Sequence, residues 1–237
     1  MKLTAAQNAE HEAWNKAEPA KIKAYNKRIT QQNKTAKKKK KLRKFKAREI
    51  VTVEQYKKQF GKDYRNMVKE VHQCLATIGD RFPTYKNQGY EIKGFVWFQG
   101  WNDQYQDRWL TYEKNMANFI RDVRKEFMAP KMAFVIGQMG HDGMKLDKEG
   151  SPRDFIKKAQ SAVPNYPQFK GNVLCVKTDQ YWDMEADAIY TGPRGWSKDV
   201  KKWRQFGNDR AYHYYGSPWC FAQIGTAFGE GMIELLK

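Results

Sequence analysis

Two stretches of this chain hold side chains whose types and spacing suit hydrolytic chemistry. The first is Gln99-Gly100-Trp101-Asn102-Asp103. A glycine lets the backbone approach a ligand closely, and a carboxamide two residues later can aim an N–H at developing negative charge. Such a donor contributes about 2.7–4 kcal/mol to catalysis in hydrolases. Asn102 and Asp103 also suit the start of a following helix as capping residues, and the local sequence leaves both roles open. The second stretch is Asn208-Asp209-Arg210-Ala211-Tyr212-His213-Tyr214-Tyr215-Gly216. An imidazole in a loop that enters a helix is well placed as a general base, although a single histidine among tyrosines is more often a hydrogen-bonded packing residue. His72 falls in a helical pattern, His11 in a basic segment and His141 in a glycine-rich loop; no pair has the spacing of metal ligands. Cys74, Cys175 and Cys220 are odd in number and far apart, with no CxxC pair. That argues against a disulfide framework or a zinc site and for buried free thiols. No cofactor is expected.

The elements that must position these groups follow from hydrophobic periodicity. Val53, Tyr56, Phe60, Tyr64, Met67, Val68, Val71, Leu75 and Ile78 recur at three- and four-residue steps and predict an amphipathic helix ending at Gly79. Gly94–Gly100 reads as a short apolar strand and 105–127 as a second helix with Trp109, Tyr112, Met116, Phe119, Ile120 and Val123 inward. Ala133–Gly137 and Asn172–Thr178 are further buried strands. Ser151-Pro152 and Ser217-Pro218 each supply an N-cap and a first-turn proline, opening helices over 152–163 and from 218 to about 236. Strands apolar on both faces, alternating with helices, specify an α/β fold with a parallel sheet covered by helices. Ligands of such sheets bind outside the carboxyl ends of the strands, which directs attention to the residues after 99, after 137 and before the last helix.

With 41% hydrophobic residues, 14% aromatic and eight tryptophans, the 237-residue chain has material for a real core. Its formal charge of +18 is unevenly spread. Residues 1–50 hold 16 Lys/Arg against 4 Asp/Glu, and 51–237 hold 28 against 22, so two thirds of the excess lies in about a fifth of the chain. Residues 1–50, with the run Lys37–Lys41, are expected to form a Lys-rich, partly helical, solvated arm or spacer, and 51–237 the domain. Such an arm can contact nucleic acid or an anionic surface, but no aromatic or glycine pattern of a nucleic-acid-binding module accompanies the lysines. No apolar run approaches the roughly 18 residues needed to span a bilayer. The first residues lack the apolar core of a secretory signal; taken as written, the sequence predicts a soluble chain that stays in the cytoplasm.

The two stretches together resemble a known family. Gly94-Phe95-Val96-Trp97-Phe98-Gln99-Gly100-Trp101-Asn102-Asp103 is similar to the "VW-x-QG-x-[ND]" block of sialate O-acetylesterase-like carbohydrate esterases, within the SGNH hydrolases. His213-Tyr214-Tyr215-Gly216, followed by Ile224-Gly225-x-Ala227-Phe228-Gly229-Glu230-Gly231-Met232, resembles that family's closing histidine block and final helix. The resemblance covers roughly residues 55–237 and implies a three-layer α/β/α fold with a flavodoxin-like parallel sheet. It also implies acyl transfer on an acetylated carbohydrate: a serine attacks an acetyl ester, a histidine takes its proton, and a glycine amide and an asparagine side chain hold the oxyanion. Carried over, His213 is the base, Asn102 an oxyanion donor and Gly100 the close-approach residue, with Trp101 and Asp103 lining the pocket; Gln99 and Trp182 are further candidates for substrate contact. Members of the family are often exported.

Two departures qualify the resemblance. The family's acid stands two or three residues before the histidine, where this chain has Ala211 and Arg210; Asp209, Asp183 and Asp187 are the alternatives. The family's Gly-x-Ser block after the first strand has no counterpart among Ser151, Ser161, Ser197 and Ser217. The first strands of the family are missing as well, which leaves the Phe95–Gln99 strand with an apolar edge to be covered. The sequence therefore predicts an esterase portion that needs a serine-bearing N-terminal half, or else a carbohydrate-binding relic whose Trp97, Trp101, Trp182, Trp196 and Trp203 hold sugar faces.

Overall fold

The computed structural model describes every residue of the chain except 1, 37, 51, 146, 194 and 199. Lys37 of the basic run is thus outside the described residues, as is the side chain of Tyr56. The chain divides into two compact units, 1–88 and 89–237.

The first unit opens with a 32-residue helix, α1 (Lys2–Asn33). Its sequence lacks glycine, is rich in Ala, Lys and Gln, and carries the helix through Pro19. The stretch after it is extended and has no sheet partner, so its backbone N–H and C=O groups need other partners. Three asparagines of α1 supply them. The carboxamide of Asn33 accepts from Lys40 N and donates to Lys40 O, both at 2.8 Å. Asn26 does the same to Arg43 at 2.8 Å, and Asn15 to Arg48 at 2.6 and 2.8 Å. Intervals of 11 and 7 residues are close to three and two helical turns, which puts the three amides on one side of α1. Cations of the extended segment settle on aromatic rings of the helix: Arg43 lies 4.1 Å from the Tyr25 ring centre and Arg48 4.6 Å from that of Trp14. Arg48 also pairs with Glu10 at 3.1 Å. The segment is strapped along the helix rather than freely solvated.

After the strap come α2 (Val53–Gln59), α3 (Lys62–Ala76) and α4 (Ile78–Arg81). The periodicity predicts one helix to Gly79, where the structure has three. Gly61, at φ 68°, breaks it between α2 and α3, and Thr77 ends α3.

The second unit is built on three parallel strands in the order β1 (Gly94–Phe98), β2 (Ala133–Gln138), β3 (Val173–Lys177). Phe95 stands opposite Phe134, and Phe134 opposite Val173. The central strand is buried throughout. Phe134 and Ile136 pack against Met116 and Ile120 of α5 (Tyr112–Glu126) and Ile156 of α6 (Pro152–Ala162). Val135, with Val176 of β3, packs on Ala227 of the last helix, and Gly137 leaves room there for Phe228. β1 has no partner on its outer edge among the described residues, and Val96 on it is 44% exposed.

Helices α7 (Met184–Thr191) and α8 (Val200–Trp203) precede the final helix α9 (Pro218–Leu235). Both Ser-Pro starts act as read: Ser151 accepts from Asp154 N and Ser217 from Cys220 N. The helix expected from 105 begins at Tyr112, because Gln106 and Asp107 adopt left-handed conformations and a short 3-10 turn, Arg108–Thr111, intervenes. Of the thiols expected to be buried, Cys220 is buried, Cys175 partly so, and Cys74 is exposed. Burial pushes Cys175 up to about 11 and Cys220 to about 12.

Removing the strap's backbone partners isolates their contribution. Each Asn→Ala change at 15, 26 and 33 deletes two hydrogen bonds of about 1 kcal/mol apiece. The triple variant is expected to be cut by trypsin between residues 38 and 48 about ten-fold faster or more, with the helical circular dichroism signal retained. Unchanged cleavage would assign the strap's order to the ring and ion-pair contacts.

Candidate active site

The carboxyl ends of β1 and β2 are tied together by one side chain. Gln160 of α6, fully buried, donates through Nε2 to Gln99 O at 2.9 Å and accepts from Met139 N at 2.9 Å. Tyr112 donates its hydroxyl to the same Gln99 carbonyl at 2.9 Å, and burial raises its phenol well above the usual range. Gly100 is buried here. A Cβ on it would meet Ile156, Gln160 and Met139 at 3.2–3.3 Å, so a larger residue here would have to push these side chains back by a few tenths of an ångström. The chain then makes a 3-10 turn, Trp101–Gln104. Asn102 and Asp103 lie inside that turn and cap no helix: the N-cap of α5 is Thr111.

The second wall comes from the loop before α9. Tyr214, Tyr215 and Gly216 are all left-handed, with φ of 53°, 59° and 59°, a conformation that costs a non-glycine residue about 1–3 kcal/mol. Their phenols fix it. The Tyr214 hydroxyl accepts from Gly140 N at 2.8 Å and lies 3.3 Å from the Thr178 hydroxyl, at the ends of β2 and β3. The Tyr215 hydroxyl is bound by a short hydrogen bond to Asp187. Ser217 donates to Asp183, which also caps α7 through Ala186 N at 2.9 Å. Asp183 and Asp187 are therefore committed elsewhere. Asp209 is the carboxylate at His213: its Oδ2 lies 2.9 Å from Nδ1. The Arg210 backbone N–H, and after it His213, hold the Asp209 carboxyl below its usual range.

Between the walls lies a cavity of about 380 Å³. Gln99, Gly100, Trp101 and Asn102 line one side, Asp209 and His213 the other. Asn102 and His213 thus converge on one rim of the sheet. Asp103 is not brought in: it accepts from Gln99 Nε2 at 2.5 Å and lines a smaller neighbouring pocket with Tyr112 and Asn115. Trp182 does not contact the cavity either, because it is 4% exposed and packs in the core against Tyr214 and Tyr215. Among the tryptophans expected to hold a sugar, Trp203 is buried, Trp97 packs on Phe119, and Trp196 lies against Tyr190; Trp101 alone lines the cavity. Ser151 and Ser217 cap helices, Ser161 accepts from Gln138, and Ser197 lies in a 3-10 turn; no serine is in the lining.

The cavity also contains Met139, Tyr212, Tyr214, Phe221 and His141, to which the sequence assigns no role in the site. His141 follows the carboxyl end of β2, so the strand-end rule was the available signal. Its ring lies 4.2 Å from that of Trp101. Nε2 is 2.7 Å from the Tyr212 carbonyl, an acceptor, and so carries the proton. Nδ1 is buried without a hydrogen-bond partner among the described residues. Burial pushes His141 down to about 4, which leaves it neutral at pH 7.

One family model matches the chain over residues 47–189, more than half its length: carbohydrate esterase, sialic acid-specific acetylesterase. The chain belongs to this carbohydrate esterase family. No curated protein and no solved structure matches it. The matched span contains the Gln99–Asn102 wall and His141, and ends before the loop that carries His213.

His141 makes stability depend on pH with a definite sign. The unfolded imidazole gains its proton near 6.5, while the folded one stays neutral to about 4. The unfolded state then binds more protons across that window, so stability falls as pH drops through it. The full effect is up to about 3 kcal/mol. Urea unfolding at pH 7 and pH 4.5 is expected to show the loss, and His141→Phe to remove most of it.

Proposed function

We propose that the cavity is the base and oxyanion side of a serine ester hydrolase of the SGNH type, acting on acetyl groups of carbohydrates. The observation that carries this reading is the meeting of Asn102 with the His213–Asp209 pair across one cavity at the strand ends. In the reaction a serine Oγ attacks the acetyl carbonyl and gives its proton to His213 Nε2. Nδ1 keeps its proton toward Asp209, which stabilises the imidazolium. The Asn102 carboxamide donates to the oxyanion. Collapse of the tetrahedral intermediate breaks the bond to the sugar oxygen, which takes the proton from His213 and leaves as a hydroxyl, and water repeats the sequence on the acetyl-serine to release acetate.

The serine must come from outside this cavity lining. The unpaired edge of β1 is the natural place for it. A parallel strand added there would end beside Gln99, delivering the residue that follows it to the rim where Gly100 and Asn102 stand. It would also cover Val96 and the open backbone groups of the edge. A second reading, a carbohydrate-binding relic without catalysis, is favoured by the lack of Ser, Thr or Cys in the lining.

Hydrolysis of 4-nitrophenyl acetate separates the two. The chain alone is expected to match the buffer rate. Co-expression with a strand segment bearing Gly-x-Ser is expected to produce activity that His213→Ala lowers about 10²–10⁴-fold and Asn102→Ala about 10²–10³-fold. Activity untouched by His213→Ala removes the base assignment; no activity with any such segment favours the relic.

A further inference from the structure

The charge of the cavity narrows the sugar. This inference rests on the reading of the cavity as a carbohydrate site. Among the described residues that line it, Asp209 is the one formally charged side chain besides the titratable His213 that it holds, and none is a lysine or arginine. The second imidazole, His141, adds no positive charge: Nε2 donates to the Tyr212 carbonyl, and Nδ1 is buried with no acceptor among the described residues for a second proton. Among the described residues, three cations that flank these loops are engaged elsewhere. Arg153 pairs with Asp142 at 2.6 Å and Asp147 at 2.8 Å, Lys157 with Asp147 at 2.9 Å, and the Arg210 guanidinium lies over Trp196 at 4.5 Å. The remaining walls are largely aromatic, with Phe98, Trp101, Tyr212, Tyr214 and Phe221 offering ring surface to the C–H faces of a sugar.

A carboxylate taken from water into such a site needs a cation or several N–H donors to replace its hydration. Here it would meet Asp209 instead. We propose that the cavity takes O-acetylated sugars without an acidic group and discriminates against acidic ones such as sialic acid, although the family is described by sialic acid specificity. The discrimination is one of charge rather than shape.

Three ligands test this by NMR titration of the full chain, read at the Trp101 indole and His213 imidazole: an O-acetylated methyl glucoside, an O-acetylated methyl sialoside, and the methyl ester of that sialoside. The neutral glucoside is expected to bind, the free-acid sialoside about ten-fold weaker or worse, and the ester to recover most of the difference. Equal or tighter binding of the free acid overturns the inference and leaves the carbohydrate site standing. Weak binding of acid and ester alike also overturns it, because the exclusion would then be steric. Binding of none of the three overturns the carbohydrate reading itself, and this inference with it.

Discussion

The hydrogen bond from Gly140 N to the Tyr214 hydroxyl joins residues 74 positions apart, and the geometry of the cavity depends on it. That anchor, and the Tyr215 bond to Asp187 beside it, help offset the cost of two consecutive tyrosines in left-handed backbone. The loop turns back through Asn208 N and Asp209 N, both donating to Tyr215 O, at 2.8 and 2.9 Å. That reversal sets Asp209 beside the His213 ring. The strain is thus held by buried phenols at the strand ends, and the side chains between them are presented at the rim.

The opposite wall is rigid for a different reason. Gln160 bridges the β1 and β2 termini with both halves of its amide, and a Cβ on Gly100 would press on Ile156, Gln160 and Met139. Asn102 therefore stands in a turn whose base is hydrogen-bonded to α6 through Gln99 O. One wall is fixed by a carboxamide in the core and the other by phenols, so the distance between them follows from the sheet itself.

Much of this was legible in the sequence, because short apolar strands and Ser-Pro helix starts are local signals. The three strands and the starts of α6 and α9 follow from residues within a few positions of each other. The histidine's acid did not. Asp183, Asp187 and Asp209 are equivalent by type, and only their partners, Ser217, Tyr215 and His213, separate them. Trp182 was drawn toward the site by residue type and Asp103 by its place after Asn102, whereas burial and a bond from Gln99 remove them from it. His141 was passed over because it has no motif around it. The break at Gly61 and the delayed start of α5 depend on left-handed residues that hydrophobic periodicity does not register.

The asparagine clamps on α1 have an evolutionary consequence. Each one grips main-chain atoms, so it is indifferent to the side chain of the residue held. The strap can accumulate or lose lysines at 38, 39, 41, 44 and 46 without loosening its grip on the helix, and its charge is free to drift. At 40, 43 and 48 one substitution alone is barred by the clamp: proline, which has no N–H to offer.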